Sequence, residues 1–315
     1  MKRPRRAHRR RRIQRVLVRA LRRSFPHLGR FTPSLSSRLA EALFRTPPKQ
    51  ARLRREERAL ADARFSRTLN GGGYIPTWKW GEGSPVVLVH GWGGHAGRLT
   101  EFVAPLVRRG FSVIAFDAPG HGDAGGRHSS LTDFVAAIRA IERKHGPFEA
   151  MIGHSLGAAA CALAVRQGLE VSRVVLLVPP ADPEKYSGRF ARFYRMSPET
   201  REGMKRRLES RYIHWPDLKI AAGDCPARMV VFHDEKDTRI PFRDGVEVGR
   251  AWPNAALVRT RGLGHHRILC DPRVISRAVA FVGNGADHRE ADALRASDST
   301  RPARRQRRLR EAFVS

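Results

Sequence analysis

The pattern of apolar and polar positions divides the chain into a polar beginning, an alternating middle and a polar end. Between residues 74 and 283, short apolar runs alternate with stretches whose apolar residues recur every three or four positions. The runs predict strands at 74–80, 85–90, 111–116, 151–152, 174–178, 229–232 and 256–260. The stretches predict helices that include 131–144, a segment after 157, and 272–282. This alternation predicts the α/β class, with a mostly parallel twisted sheet and helices on both faces.

The same pattern predicts three regions. Residues 1–70 are expected to form a basic, partly helical arm, and 71–283 the α/β domain. Residues 183–223 interrupt the alternation with aromatic residues among many arginines, which predicts a small helical cap or, alternatively, a surface excursion. Residues 284–315 are polar and charged and are expected to be a disordered tail.

Within the arm, residues 1–12 are nearly all basic and are expected to be disordered in isolation. Apolar residues at helical spacing from Ile13 predict a short basic amphipathic helix. A second helix is expected from about Pro33 to Pro47, and a third, charged stretch covers roughly 50–65.

Charge is concentrated in this arm. The chain has a net charge of +30, and residues 1–70 carry 22 basic against 4 acidic side chains. Basic residues beside an amphipathic face suit an anionic membrane, so residues 1–30 are a candidate peripheral membrane contact. Nonspecific phosphate binding is an alternative, but no nucleic-acid motif is found and specific nucleic-acid binding is not expected. The chain has 52 arginines against 8 lysines, so codon bias is another explanation for the basic charge. A further alternative is that translation starts within the arm.

The remaining composition argues against several classes of protein. No apolar run approaches the ~18 residues of a membrane span, and no secretory signal is expected. The three cysteines lack metal-ligand spacing and are expected to be free thiols in a reducing compartment. We therefore expect a cytoplasmic protein, with peripheral contact at the inner membrane as the alternative. The sequence does not indicate an oligomeric state.

Candidate chemistry centres on Ser155. The run Phe148-Glu-Ala-Met-Ile-Gly-His-Ser-Leu-Gly157 is an apolar strand that ends in Gly-x-Ser-x-Gly and leads into an Ala-rich helix. That order is what a nucleophile elbow requires, because the glycines allow a turn too tight for larger side chains.

An activated serine needs a base and a carboxylate that orients the base. After Ser155, one loop following a strand contains Asp234 and Asp237, and a later loop contains His265 and His266. All lie beyond the carboxyl ends of predicted parallel strands, on the edge where Ser155 is expected. From the residues alone, either aspartate could be the orienting acid and either histidine could be the base.

Four motifs in order carry a resemblance to a known family. They are His90-Gly-Trp-Gly-Gly94, Asp117-Ala-Pro-Gly-His-Gly122, Gly153-His-Ser-Leu-Gly157, and the loops at Asp237 and at Gly264-His265. Residues 76–283 resemble the α/β-hydrolase superfamily, and within it bacterial serine hydrolases. The resemblance implies the α/β-hydrolase fold with a small helical cap.

By position, the resemblance makes Ser155 the nucleophile, His265 the base and Asp237 the orienting acid. Asp237 is preferred because Pro241 follows it by four residues, and His265 because it directly follows a glycine. The backbone N–H groups of Trp92 and Leu156 are the expected oxyanion hole.

The loops around these residues contain two further histidines. His121 is expected to be structural, and His95 is expected at the surface. The resemblance implies neither a cofactor nor a metal.

The function these residues predict is hydrolysis of a small-molecule carboxylic ester or thioester through an acyl-enzyme. An aspartate at the elbow would indicate dehalogenase or epoxide hydrolase chemistry, and Ser155 argues against both. Acyl transfer to another acceptor and cofactor-free perhydrolysis would use the same residues. A third alternative is a non-catalytic binding protein docked on membrane or nucleic acid by its arm.

Overall fold

The computed structural model describes residues 4–71, 73–212, 218, 220 and 227–283, with side chains from residue 16 onward. The strands in this part of the chain are β1 (Arg64–Asn70), β2 (Gly73–Trp80), β3 (Pro85–Val89), β4 (Ser112–Phe116), β5 (Phe148–His154), β6 (Val171–Leu177), β7 (Arg228–Asp234) and β8 (Ala255–Thr260). The helices are α1 (Pro4–Phe31), α2 (Pro33–Phe44), α3 (Arg54–Ala61), α4 (Val103–Val107), α5 (Leu131–His145), α6 (Leu156–Arg166), α7 (Pro183–Phe193), α8 (Pro198–Glu209), α9 (Phe242–Ala251), α10 (Gly264–Arg267) and α11 (Pro272–Gly283). A 3₁₀ helix covers Ala96–Phe102.

The eight strands form a single sheet in the order β1-β2-β4-β3-β5-β6-β7-β8. β2 pairs antiparallel with both β1 and β4, and every other pairing is parallel. The parallel strands therefore end at one edge of the sheet, and the loops that follow β3, β5, β7 and β8 meet there. The mostly parallel α/β prediction is confirmed.

Burial on both faces explains why the central strands are apolar throughout. In β3, Val86 and Leu88 belong to one core and Val87 and Val89 to the other. Successive side chains of a strand point to opposite faces, so a sheet covered by helices on both sides needs apolar residues at every position. Most of the helices and strands predicted from Tyr74 onward are found close to their predicted bounds.

The arm differs from its prediction in two respects. α1 begins at Pro4, so residues 4–12, which were expected to be disordered in isolation, are helical in the folded chain; Arg and Ala favour helix. Residues 64–70 form β1, whose Asn70 pairs with Gly73 of β2. The expected domain boundary at residue 71 thus falls inside a hairpin of the sheet.

The expected cap segment contains α7 and α8, and the arm packs on both. Thr200 at the start of α8 donates a 2.9 Å hydrogen bond to Ser36 of α2. Arg207 of α8 contacts Glu41 of α2 at 2.6 Å. Phe25 of α1 is fully buried and packs edge-on against the ring of Tyr194, 5.8 Å between centroids. Residues 213–217, 219, 221–226 and the expected tail at 284–315 lie outside the described residues.

The described residues include neither a candidate membrane span nor a candidate metal site. None of their helices is both long enough and apolar enough to cross a membrane. Within the same residues, no group of three or more His, Cys, Asp and Glu is placed to hold a metal ion. Cys161 is buried and Cys270 exposed, both as free thiols, and Cys225 lies outside the described residues.

Candidate active site

Ser155 occupies a strained turn between β5 and α6. Its backbone has φ 54° and ψ −118°, a conformation that side chains rarely adopt and that costs about 1–3 kcal/mol. The amide of Ser155 donates a 2.9 Å hydrogen bond to the carbonyl of Leu177 at the end of β6, which ties the turn to the neighbouring strand. A strained turn of this kind, between a strand and a helix, is the geometry that a nucleophile elbow requires.

The two glycines of the motif are required by close backbone approach. A Cβ on Gly153 would lie 2.6 Å from the Cα of Ala158, on the helix that follows the turn. A Cβ on Gly157 would lie 2.3 Å from the carbonyl oxygen of Val89 and 2.4 Å from that of His90. The glycines therefore allow α6 to start directly against β5 and the end of β3.

His265 and Asp237 are in direct contact. Nδ1 of His265 lies 2.7 Å from Oδ2 of Asp237, and the Asp237 side chain is fully buried. The other carboxylate oxygen of Asp237 accepts from the backbone amides of Arg239 (2.7 Å) and Ile240 (3.0 Å).

These contacts determine the protonation of the pair. Burial by itself raises the pKa of Asp237, but the hydrogen bond and charge of His265 and the two amides outweigh it, so the pKa is lowered. The ionised carboxylate accepts from Nδ1–H of His265, which leaves Nε2 as the nitrogen able to accept a proton.

Asp234, the alternative acid, has a different environment. Its two oxygens accept from the Thr260 hydroxyl (2.9 Å) and from the backbone amides of Lys236 (3.0 Å), Gly262 (3.2 Å) and Leu263 (2.9 Å). The carboxylate joins the end of β7 to the loop that presents His265. The structure therefore brings Asp237, and not Asp234, to the histidine.

His154, which precedes Ser155, is hydrogen-bonded to the loop that contains His265. Its Nε2 lies 2.9 Å from the backbone carbonyl of His265, and a carbonyl only accepts, so Nε2 carries a proton and donates. Burial is the main cause that lowers the pKa of His154 to about 3, so the ring is neutral. His266 packs beside these rings, 6.0 Å from His154 and 5.1 Å from His265 between centroids.

The loop after β3 lies against the elbow. A Cβ on Gly91 would lie 3.0 Å from the Cβ of Ser155, so the backbone that leads into Trp92 passes beside the serine. The amide of Ala118 donates to Nε2 of His90 (3.0 Å), which requires that Nδ1 of His90 donates to the Gly91 carbonyl (2.8 Å). His90 therefore braces this loop. Leu156, which directly follows Ser155, is the first residue of α6.

A cluster of rings packs against His90 and Trp92 of the loop after β3. The ring of His121 makes edge contacts with Trp92 (5.2 Å) and Phe134 (5.1 Å) and lies 5.1 Å from His90. Burial lowers the pKa of His121 to about 4, so it packs as a neutral ring. This arrangement agrees with the expected structural role of His121.

The linker between α2 and α3 contacts the loops after β3 and β4, which the sequence did not predict. Gly93 lies under Pro48, since a Cβ at Gly93 would be 2.8 Å from the proline ring. Arg52 contacts the buried Asp117 at 2.6 Å and also pairs with Asp123. The arm thus contacts both the loop after β3 and the loop after β4. A single Arg in a basic arm gives no sequence signal for such a contact.

His95 is not where the sequence analysis placed it. It was expected at the surface but is fully buried, with Nε2 3.8 Å from the buried Glu56 of α3. Burial lowers the pKa of His95 to about 4. The arm covers a position that would otherwise be exposed, which the local sequence could not indicate.

Comparison with known proteins identifies the family. A family model described as the alpha/beta hydrolase family matches residues 86–313, more than half of the chain. A probable serine hydrolase of Drosophila melanogaster is 33% identical over 103 residues, 30% of each chain. Monoglyceride lipase of Rattus norvegicus is 30% identical over 124 residues, 35% of this chain and 41% of the relative. The matched region thus spans well under half the length of these curated relatives.

Solved structures agree on the fold. An esterase of Pyrococcus furiosus superposes with a TM-score of 0.57 at 18% identity, over 75% of this chain and 98% of the esterase. An esterase of Exiguobacterium antarcticum gives a TM-score of 0.54 at 16% identity, over 69% of this chain and 98% of the esterase. With the family match, the strand order and the elbow at Ser155, the protein belongs to the alpha/beta hydrolase family.

Proposed function

We propose that this protein hydrolyses a carboxylic ester or thioester through an acyl-enzyme on Ser155. The observation that carries the proposal is the 2.7 Å contact between His265 Nδ1 and the buried carboxylate of Asp237, in loops that end at the same sheet edge as Ser155. In the neutral ring this contact favours the tautomer with the proton on Nδ1, in which Nε2 can act as a general base.

In the first half of the reaction, Oγ of Ser155 attacks the acyl carbonyl carbon while Nε2 of His265 takes the hydroxyl proton. The tetrahedral intermediate collapses, and the imidazolium returns that proton to the departing alcohol or thiol. Asp237 keeps Nδ1 protonated and stabilises the positive charge that forms on the ring. The product of this half is an acyl ester of Ser155.

In the second half, a water molecule takes the place of the leaving group. His265 accepts a proton from the water as its oxygen attacks the acyl carbonyl, and then returns the proton to Oγ of Ser155. The carboxylic acid leaves and the serine is restored.

Both halves place negative charge on the former carbonyl oxygen, which needs donors already in position. The proposed donors are the backbone N–H groups of Trp92 and Leu156. The bond from His90 to the Gly91 carbonyl and the contact of Gly93 with Pro48 support the position of the first donor. Loss of one such donor typically costs about 100-fold in kcat.

The choice of an acyl ester rests on the serine and on the relatives. The chain resembles a monoglyceride lipase in part of its length, and the structural neighbours include esterases.

Perhydrolysis is the second candidate, and one observation favours it. A non-heme haloperoxidase of Rhodococcus erythropolis is 33% identical over 108 residues, 32% of this chain and 39% of the relative. Hydrogen peroxide in place of water would attack the same acyl-enzyme and release a peracid. The ratio of acid to peracid formed from one ester in the presence of peroxide decides between the two.

The test is active-site labelling with a fluorophosphonate probe, combined with turnover of p-nitrophenyl esters. Wild type is expected to be labelled at Ser155, and Ser155→Ala to lose both labelling and turnover. Ser210→Ala, an exposed serine at the end of α8, is the matched control and should retain both. Turnover that persists in Ser155→Ala would remove the serine from the mechanism, and an unlabelled wild type would favour a non-catalytic binding protein.

A further inference from the structure

α1 combines a high positive charge with a continuous helix. Residues 4–31 contain eleven arginines and no acidic residue, and the helix spans Pro4–Phe31. Arg19 and Arg23 are exposed. A helix of this charge attracts anionic surfaces, whatever their chemistry.

One face of α1 is already occupied by the cap. Phe25 packs against Tyr194, and Gly29 lies against α8, where a Cβ would be 2.6 Å from the Ser197 hydroxyl. The guanidinium of Arg22 lies 5.1 Å from the centre of the Phe193 ring on α7. The helix is therefore held on α7 and α8 through its C-terminal half.

A second face of α1 is apolar and uncovered. Val16 is 60% exposed and Leu17 55% exposed, and Phe31 at the end of the helix is 74% exposed. Phe31 follows Val16 and Leu17 by about four helical turns, which returns it to the same side of the helix. We call Val16, Leu17 and Phe31 the docking face.

We propose that the docking face inserts into the surface of an anionic membrane, and that the Ser155 site acts on a lipid ester held in that membrane. Two signals coincide on α1, an uncovered apolar face and a row of arginines, and together they give stable binding to an anionic bilayer. Binding to nucleic-acid phosphates would use the arginines but leave the apolar residues in water. The membrane is therefore the occupant that satisfies both features.

The connection between α1 and the site supports the second half of the proposal. α2 is joined to the cap by the bonds from Thr200 to Ser36 and from Arg207 to Glu41. The chain then passes from α2 to Pro48, which lies on Gly93 beside the proposed oxyanion donor. One continuous segment thus links the docking face to the cap and to the loop beside Ser155. The lipid-ester part rests on the proposed function, and the membrane part does not.

The experiment is vesicle flotation of the full-length protein. The wild type is expected to float with phosphatidylcholine vesicles that contain phosphatidylglycerol, and to remain unbound with phosphatidylcholine alone. Val16→Asp with Leu17→Asp should weaken binding by at least tenfold, because it places charges in the inserted face. Arg19→Gln with Arg23→Gln should weaken it about 25-fold, or about fivefold per arginine.

Leu69→Asp is the matched control, since Leu69 is an equally exposed leucine on β1, outside the docking face. It should bind vesicles like the wild type. Failure of the wild type to float with the anionic vesicles, or equal binding of Val16→Asp/Leu17→Asp and wild type, would overturn the membrane proposal. The other outcome is binding to duplex DNA and not to vesicles, with the same DNA affinity in Val16→Asp/Leu17→Asp as in wild type. That result would assign the arm to nucleic acid.

Activity is measured on two substrates to separate the proposals. Val16→Asp/Leu17→Asp should hydrolyse soluble p-nitrophenyl butyrate at the wild-type rate, but should lose at least tenfold on 1-oleoylglycerol carried in the anionic vesicles. Equal rates on the vesicle substrate would overturn the lipid-ester part. If Ser155→Ala still floats but the wild type has no esterase activity, the proposed function fails while the membrane contact stands.

Discussion

The Nε2 proton of His154 is donated to the backbone carbonyl of His265, at 2.9 Å. The residue before the proposed nucleophile thus holds the loop that presents the proposed base. The two rings also lie 4.9 Å apart between centroids. Ser155 and His265 are therefore linked through one neighbouring side chain as well as through the sheet.

We expect His154→Phe to lower kcat by about 10- to 100-fold with little change in KM, because a base displaced by a fraction of an ångström loses its alignment. His154→Gln keeps a side-chain N–H donor and should recover a large part of the loss. Steady-state kinetics on p-nitrophenyl butyrate, with a melting temperature for each variant, make the test. Equal kcat in wild type and His154→Phe would contradict the positioning role.

Asp237→Asn should lower kcat by about 10³- to 10⁴-fold, because the amide favours the wrong tautomer of His265. The fold should persist, since the remaining oxygen can still accept from the amides of Arg239 and Ile240. Asp234→Asn should instead destabilise the protein by about 1–3 kcal/mol, since it disrupts the bonds that hold the 260–263 loop. Kinetics and thermal denaturation on both variants distinguish the roles, and the reverse outcome would make Asp234 the acid.

Gly157→Ala should prevent folding of the elbow. The new Cβ would meet two backbone carbonyl oxygens at 2.3 and 2.4 Å, and backbone at the centre of a sheet cannot move aside. Gly125→Ala is the control, because a Cβ there meets nothing within 4 Å. We expect little or no soluble Gly157→Ala protein and a melting temperature for Gly125→Ala within a few degrees of wild type. A well-folded, active Gly157→Ala protein would contradict the geometry of the elbow.

Arg52→Met should destabilise the protein by about 3 kcal/mol, and by more at higher pH. Burial raises the pKa of Asp117, and the charge of Arg52 opposes that rise, so removing the arginine raises this pKa further. A carboxyl group with a raised pKa binds more protons in the folded state than in the unfolded state. Stability therefore falls as pH increases from the unfolded-state value, about 3.9, through the folded-state value.

The measurement for Arg52→Met is the free energy of unfolding as a function of pH. Adding Asp117→Asn should abolish the added pH dependence, because the titrating group is gone. A pH dependence that persists in the double variant would assign it to another group.

Several elements follow from the sequence because their causes are local. β3 was predicted from an uninterrupted apolar run, and a strand covered on both faces requires such a run. The turn at Ser155 was predicted from Gly153 and Gly157, since only glycine tolerates the backbone approach that the motif makes. β1 was missed because its apolar residues, Phe65 and Leu69, are exposed on an edge strand and its other positions are polar.

The sequence by itself therefore determined the α/β class, the elbow and a short set of candidate acids and bases, because each depends on neighbouring residues or on motif order. Only the tertiary structure decided that Asp237 contacts His265 while Asp234 closes a loop, since the two acids lie three residues apart at the end of the same strand. It likewise decided that Arg52 binds Asp117, 65 residues further along the chain. Contacts between distant segments arise from packing, and packing leaves no periodic signal along the chain.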